Sequence, residues 1–195
     1  MVYIKTYNTP EIDRKEILRY ARVEQSDPMT DALLDRCIAE AAPLLSYKLC
    51  YSRFPVSVEG DRVDLGFSVV DSHSLAICLR ECDEIILFCA TVGAELDRLI
   101  KKQSLLSPSA AVILQALGSE RVEALCDLFC SEMAEEIKRE LRPRFSPGYG
   151  DLPLELQRNI FACLCPSRIG VALSDNLFMT PSKTVTAIIG VKKEG

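Results

Sequence analysis

Hydrophobic and polar positions change period several times along the chain, and each change marks an element. Val2 to Tyr7 reads as a short strand. Thr9-Pro10-Glu11 reads as a helix opening, with a hydroxyl N-cap, proline in the first turn and an acid at the positive dipole end. Ile12, Glu16, Ile17, Leu18 and Tyr20 follow with mixed helical spacing. A second helix starts near Ser26-Asp27-Pro28, carries Leu33, Leu34, Cys37, Ile38 and Ala41 on one face, and ends around Pro43. Tyr47 to Val58 then alternates, Glu59-Gly60-Asp61 reads as a turn, and Arg62 to Val70 alternates again, which predicts a β-hairpin. Ser72 or Ser74 opens a short helix with Leu75, Ile77, Cys78 and Leu79.

Glu84 to Thr91 is short, nearly all apolar and ended by Gly93, the pattern of a central strand covered on both faces. Leu96, Leu99 and Ile100 place a helix from Ala94 to about Lys102. Ser107-Pro108 opens the next, whose apolar positions from Val112 to Ile137 repeat over some thirty residues. Gly118 inside it marks a kink or a close packing contact. Gln157 to Leu164 is a shorter helix with Ile160, Phe161 and Leu164 inward; Ile169–Leu173 and Val185–Val191 read as strands, and the tail from Lys192 to Gly195 as frayed. Helices and strands are intermixed without regular βαβ alternation. That predicts an α+β fold with a mixed, mainly antiparallel sheet and packed helices. One domain over residues 1–195 is expected, with an N-terminal helical part to about residue 45 and an α+β body from about residue 46.

Composition narrows the function classes. With 48% hydrophobic residues the chain has ample core, and no apolar run reaches bilayer-spanning length. The N-terminus lacks a signal-peptide pattern, so a cytoplasmic protein is expected. Net charge is −5 and the basic residues are scattered among acidic ones, unlike the concentrated positive face that nucleic-acid binding needs. Of nine cysteines, Cys37, Cys78, Cys82, Cys89, Cys126 and Cys130 lie in apolar helical or strand patterns, and no C-x-x-C is present, so buried reduced thiols are expected. Cys163-x-Cys165 is the one close pair and His73 the sole histidine, so no bound metal is expected and His73 reads as a solvated cap neighbour. Neither a Rossmann glycine turn nor a P-loop is present.

The chemistry gathers in Arg142-Pro143-Arg144-Phe145-Ser146-Pro147-Gly148-Tyr149-Gly150-Asp151-Leu152-Pro153-Leu154. Three prolines fix their own φ, and Pro147-Gly148 is a type II turn signal. A rigid turn thus separates the Arg144 guanidinium, suited to clamping a carboxylate, from the Tyr149 ring, suited to a heterocycle or a cation. Gly148 and Gly150 would let a ligand approach the backbone. That is a grip for a small zwitterion. The plainer reading is a proline-rich interhelix loop whose arginine caps the preceding helix.

Arg144-x-x-Pro-Gly-Tyr149, followed by Pro153, Gln157 and Ile160-Phe161, resembles the S-adenosylmethionine-binding motif of the activation domain of cobalamin-dependent methionine synthase. Ile169-Gly170-Val171-x-Leu173 and Met179-x-Pro181-x-Lys183-Thr184-Val185-Thr186 resemble that domain's closing segment. Glu16–Tyr20 and Ala90-Thr91-Val92-Gly93 are similar to segments of short, free-standing versions.

The resemblance implies S-adenosylmethionine held by Arg144, Ser146, Pro147, Gly148 and Tyr149. Glu123, on the long helix, is the best match to an acidic residue that holds the ligand's ammonium; Glu120 also fits, and a solvent-facing helix glutamate is the bland reading. It further implies an activation module with no catalytic residue of its own and inactive alone. Cobalamin would come only through a partner, a cobalamin-binding methionine synthase or other corrinoid protein, with an external electron donor such as a flavodoxin-like protein. A tyrosine that the long form supplies beyond the counterpart of Val191, and an acid from its extra N-terminal segment, are expected to have no counterpart. A non-catalytic docking module that binds no S-adenosylmethionine is the competing expectation.

Overall fold

The structure, a computed structural model, describes residues 1–194. In chain order it contains β1 (Tyr3–Tyr7), α1 (Arg14–Tyr20), α2 (Pro28–Ala41), β2 (Tyr47–Pro55), β3 (Ser57–Glu59), β4 (Arg62–Asp64) and β5 (Val69–Asp71). There follow α3 (His73–Cys78), β6 (Cys82–Thr91), α4 (Glu95–Leu106), α5 (Pro108–Ile137), α6 (Leu156–Leu164), β7 (Ala172–Leu173), β8 (Met179–Thr180) and β9 (Thr184–Lys192). The main sheet has the order β1-β2-β6-β9, antiparallel throughout. The fold is α+β with an antiparallel sheet, as its pattern predicts.

β6 is covered on both faces, and its alternation assigns the two layers. Ile86, Phe88 and Ala90 face α1, α2, α4 and α5, where Phe129 of α5 packs tilted against Phe88 at a ring distance of 5.1 Å. Ile85, Leu87 and Cys89 face the other way, toward Leu75 and Leu79 of the α3 region and Ile160 and Leu164 of α6. The run from Ile85 to Ala90, apolar at every position, is what a two-sided core requires. Helix α5 is one unbroken run of 30 residues. A Cβ on Gly118 would lie 2.6 Å from Leu96 Cδ2 and 2.8 Å from Lys183 Cγ, so that glycine marks close packing.

Several expectations need correction. Helix α1 opens at Asp13, whose carboxylate accepts from the Lys15 and Glu16 amides, and not at Thr9. The Pro10 and Glu11 carbonyls are engaged by Arg121 of α5, which keeps that segment out of a helix. The turn at Gly60 exists, but it joins only β3 and β4; the long strand β2 pairs with β1 and β6 instead. Val69–Asp71 forms a third short strand beyond a turn closed by the Leu65 amide and the Ser68 carbonyl. Of Ile169–Leu173 only Ala172–Leu173 is extended; Ile169 ends a 3-10 turn that starts at Pro166, and Gly170 follows at φ +82. In the tail, Lys192 completes β9 and the Lys193 amide reaches the Glu81 carbonyl at 2.8 Å; Gly195 lies outside the described residues.

The nine thiols are unpaired, five of them buried and only Cys165 exposed. Among the described residues no helix is long and apolar enough to cross a membrane.

Candidate functional site

After α5 the chain reverses at Lys138, in the left-handed region at φ +56, and runs back along the edge of β9. Leu141 bridges Val191 and Phe145 bridges Ile188, with Phe145 N–H donating to the Ile188 carbonyl at 2.9 Å and the reverse bond at 2.8 Å. The stretch from Leu141 to Phe145 is therefore registered on the main sheet, which fixes where its side chains point. Phe145 packs into the layer with α6, and Arg144 projects to the opposite face, onto the middle of α5.

There Arg144 Nη2 donates to Glu123 Oε2 at 2.8 Å, and Nη1 lies 2.8 Å from Asp127 Oδ1, an ion pair without hydrogen-bond alignment. The arginine does not reach the helix C-terminus and is not its cap. Burial works against its charge, and nearby Cys126, Asp127, Cys130 and Glu123 more than offset that, holding its pKa above the ordinary guanidinium value. Burial pushes both thiols up, and the Arg144 charge works against that rise. The carboxylates are unequal: the Glu123 side chain is 40% exposed and that of Asp127 72%. Asp127 was not among the residues singled out from sequence. Its signal is the i, i+4 spacing from Glu123 on one helix face.

Beyond Phe145 the chain makes the turn its residues predict. Tyr149 N–H donates to the Ser146 carbonyl at 3.2 Å, and Gly148 sits at φ +89, the positive φ of a type II turn. Leu152 N–H closes back on the Tyr149 carbonyl at 3.0 Å, and Gly148 N–H on the Leu152 carbonyl at 2.9 Å. Tyr149 is carried outward and left 68% exposed.

A groove of about 470 Å³ opens beside this turn. It is lined by Ser146, Pro147 and Tyr149 of the turn, by Leu154 and Gln157, and by Asn176–Met179 of the β7–β8 hairpin. Thr184, Val185 and Thr186 of β9 line its depth, and Glu123 closes one end. Gln157 and Thr186 are buried and paired, with Gln157 Nε2 donating to Thr186 Oγ1 at 2.7 Å. Thr184 Oγ1 donates to Thr91 Oγ1 at 3.0 Å. Tyr149 and Phe178, both of which line the groove, are exposed.

On the far side of Glu123 lies a second hollow of about 560 Å³, lined by acidic side chains, Tyr20 and Arg144. Glu123 is thus shared between a largely apolar groove and an ionic compartment. The structure brings together Arg144 and Glu123 across 21 residues, and sets Ser146, Pro147 and Tyr149 beside them. The two glycines that would let a ligand approach the backbone are placed elsewhere. Gly148 turns the chain, with a Cβ there 3.4 Å from Leu154 Cδ1. Gly150 rests on α3, where a Cβ would fall 2.7 Å from Ser74 Oγ. Neither lines the groove. Glu120 is 3% exposed and committed to Arg121, so of the two candidate glutamates only Glu123 borders both the groove and Arg144. His73 is exposed, with Nδ1 2.8 Å from Asp61 Oδ1.

The α+β fold is that of the MetH reactivation domain. The crystal structure of the MetH reactivation domain bound to AdoHcy matches with a TM-score of 0.68, over 100% of this chain and 79% of that chain, at 14% sequence identity. No protein-family model matches the sequence, and no curated protein does. At that identity the likeness establishes the fold, and the ligand belongs to the neighbour.

Proposed function

We propose that the protein binds S-adenosylmethionine and presents its methyl group to a cobalamin carried by a separate protein, supporting reductive methylation of cob(II)alamin on a cobalamin-dependent methionine synthase or related corrinoid methyltransferase. The observation that carries the reading is the junction at Glu123, where an arginine–carboxylate pair meets the end of an apolar groove. S-adenosylmethionine has that same division: a zwitterionic amino-acid end and an adenosine end. Its carboxylate would meet the Arg144 fork, its ammonium Glu123, and its adenosine the groove beside Tyr149, whose volume is in the range of small-ligand sites.

Asp127 is the more exposed of the two carboxylates on Arg144 and is the one a ligand carboxylate would displace. With Tyr149 and Phe178 both exposed, the sulfonium of a bound ligand would be within reach of a large partner. Methyl transfer from a sulfonium to reduced cobalt moves no proton, so the site needs no general base, and none is assigned. The electron that converts cob(II)alamin to cob(I)alamin would come from an external flavodoxin-like donor. S-adenosylhomocysteine leaves with the electron pair of the broken carbon–sulfur bond.

The test is spectroscopic. With the corrinoid partner, a low-potential reductant and S-adenosylmethionine all present, the cob(II)alamin band should give way to that of methylcob(III)alamin faster than with this protein omitted. Tyr149→Ala should slow the conversion while leaving the fold intact, since its side chain is mostly in solvent. Equal rates with and without the protein would overturn the role. A non-catalytic docking module remains the second reading, favoured by the exposed apolar side chains of Tyr149, Leu154 and Phe178 that line the groove.

A further inference from the structure

The turn that carries Tyr149 is itself held from outside. Asp151 sends its carboxylate to the start of α3, almost eighty residues earlier in the chain. Oδ1 accepts from Ser72 Oγ at 2.6 Å and from the Ser74 amide at 3.1 Å, and Oδ2 accepts from the His73 amide at 2.8 Å. The Ser72 hydroxyl in turn accepts from the Leu75 amide at 3.1 Å. Three successive amides at a helix end are thus satisfied by one serine and one distant carboxylate. Those bonds, the Ser72 hydroxyl first, hold the Asp151 carboxyl well below the ordinary range.

Gly150 makes the same contact sterically possible. Its backbone is packed so close to Ser74 that a Cβ would fall 2.9 Å from Ser74 Cβ. Asp151 also sits inside the turn closed by the Leu152–Tyr149 and Gly148–Leu152 bonds. The anchor and the ligand-facing residues are therefore one rigid piece of backbone. Helix α3 is a firm base, since Leu75 and Leu79 are wholly buried. Tyr149 has little packing of its own, so its position comes from this clamp and from Leu152, 2% exposed.

We propose that Asp151 is a positioning residue: it touches no ligand, and it holds the Ser146–Leu152 turn in the shape that lines the groove by capping α3. The ligand's identity in this statement rests on the S-adenosylmethionine reading above; the clamp itself does not. An unclamped turn must be ordered at the moment of binding, and that ordering cost weakens affinity.

The experiment uses the full chain and two readouts. Hydrogen exchange of the ligand-free protein is followed at the amides of His73, Ser74, Gly148 and Leu152, with β6 and α5 amides as the reference. Asp151→Ala should speed exchange at all four while the reference amides are unchanged, and should weaken S-adenosylmethionine binding about tenfold, the scale of one ordered segment. Asp151→Asn, which keeps one acceptor oxygen, should fall between. Unchanged protection at Gly148 and Leu152 would overturn the proposal. So would a loosened turn with unaltered affinity, or acceleration of the reference amides, which would make Asp151 merely structural. If the parent chain binds no S-adenosylmethionine, the donor reading fails, and the exchange pattern alone decides whether Asp151 clamps the turn.

Discussion

Helix α5 carries two arginine–carboxylate assemblies one turn apart, built from the same groups, one sealed in the core and one open to solvent. At Glu120 the partner is Arg121, fully buried, which also donates to the Pro10 carbonyl at 2.6 Å and the Glu11 carbonyl at 2.5 Å. Glu120 Oε1 additionally accepts from the Asp13 amide at 3.2 Å. The pair is closed on itself and fixes the chain ahead of α1. At Glu123 the partner is Arg144, which is held by two half-open carboxylates and no backbone carbonyl. A sealed pair stabilises a connection; a pair with solvent access can exchange one partner for a ligand. The pair chemistry is the same, and burial separates the roles.

The sharpest way to break that contrast is to cut each pair in turn. Arg121→Met leaves a buried carboxylate and two carbonyls without their partner, and should cost about 3–5 kcal/mol of stability by denaturant unfolding. Removing Glu120 as well should recover part of it. Arg144→Ala should leave stability within about 1 kcal/mol, because its carboxylate partners keep water. It should instead weaken S-adenosylmethionine by about 1.5–3 kcal/mol in a calorimetric titration. Arg144→Lys should recover only part of that, since it lacks the planar fork. The smallest effect has the opposite sign. Asp127→Asn removes a competitor for the Arg144 guanidinium and should tighten S-adenosylmethionine by up to about 1 kcal/mol, the scale of an exposed pair. Weaker binding on that change would mean that Asp127 holds the ligand ammonium and does not compete for the arginine.

Legibility in the sequence follows how local each determinant is. The uninterrupted apolar run of β6, the long 3.6 period of α5 and the Pro147-Gly148 turn are local signals, and each appears where its pattern places it. The start of α1 is not local. Thr9-Pro10 satisfies every rule for a helix opening, yet Arg121, more than a hundred residues away, holds the next carbonyls. The pairing of β2 is likewise non-local, because alternation says that a strand exists and nothing about its neighbour.

The candidate site divides the same way. Arg144 and Tyr149 stand out in one short stretch, while the choice between Glu123 and Glu120 turns on burial, which their shared helical pattern cannot resolve. Asn176, Leu177 and Phe178 carry no periodicity at all, and line the groove only through the short pairing of β7 with β8.

The account stands on the open pair at Glu123 being a receptor for a zwitterion attached to adenosine. Isothermal titration of the unmodified chain with S-adenosylmethionine tests this most directly. Saturable one-to-one binding is expected, weakened by Arg144→Ala and unchanged by Arg121→Lys where the latter variant remains folded. No binding at millimolar ligand by the parent chain, with its unfolding transition intact, would contradict it and leave a docking module in its place.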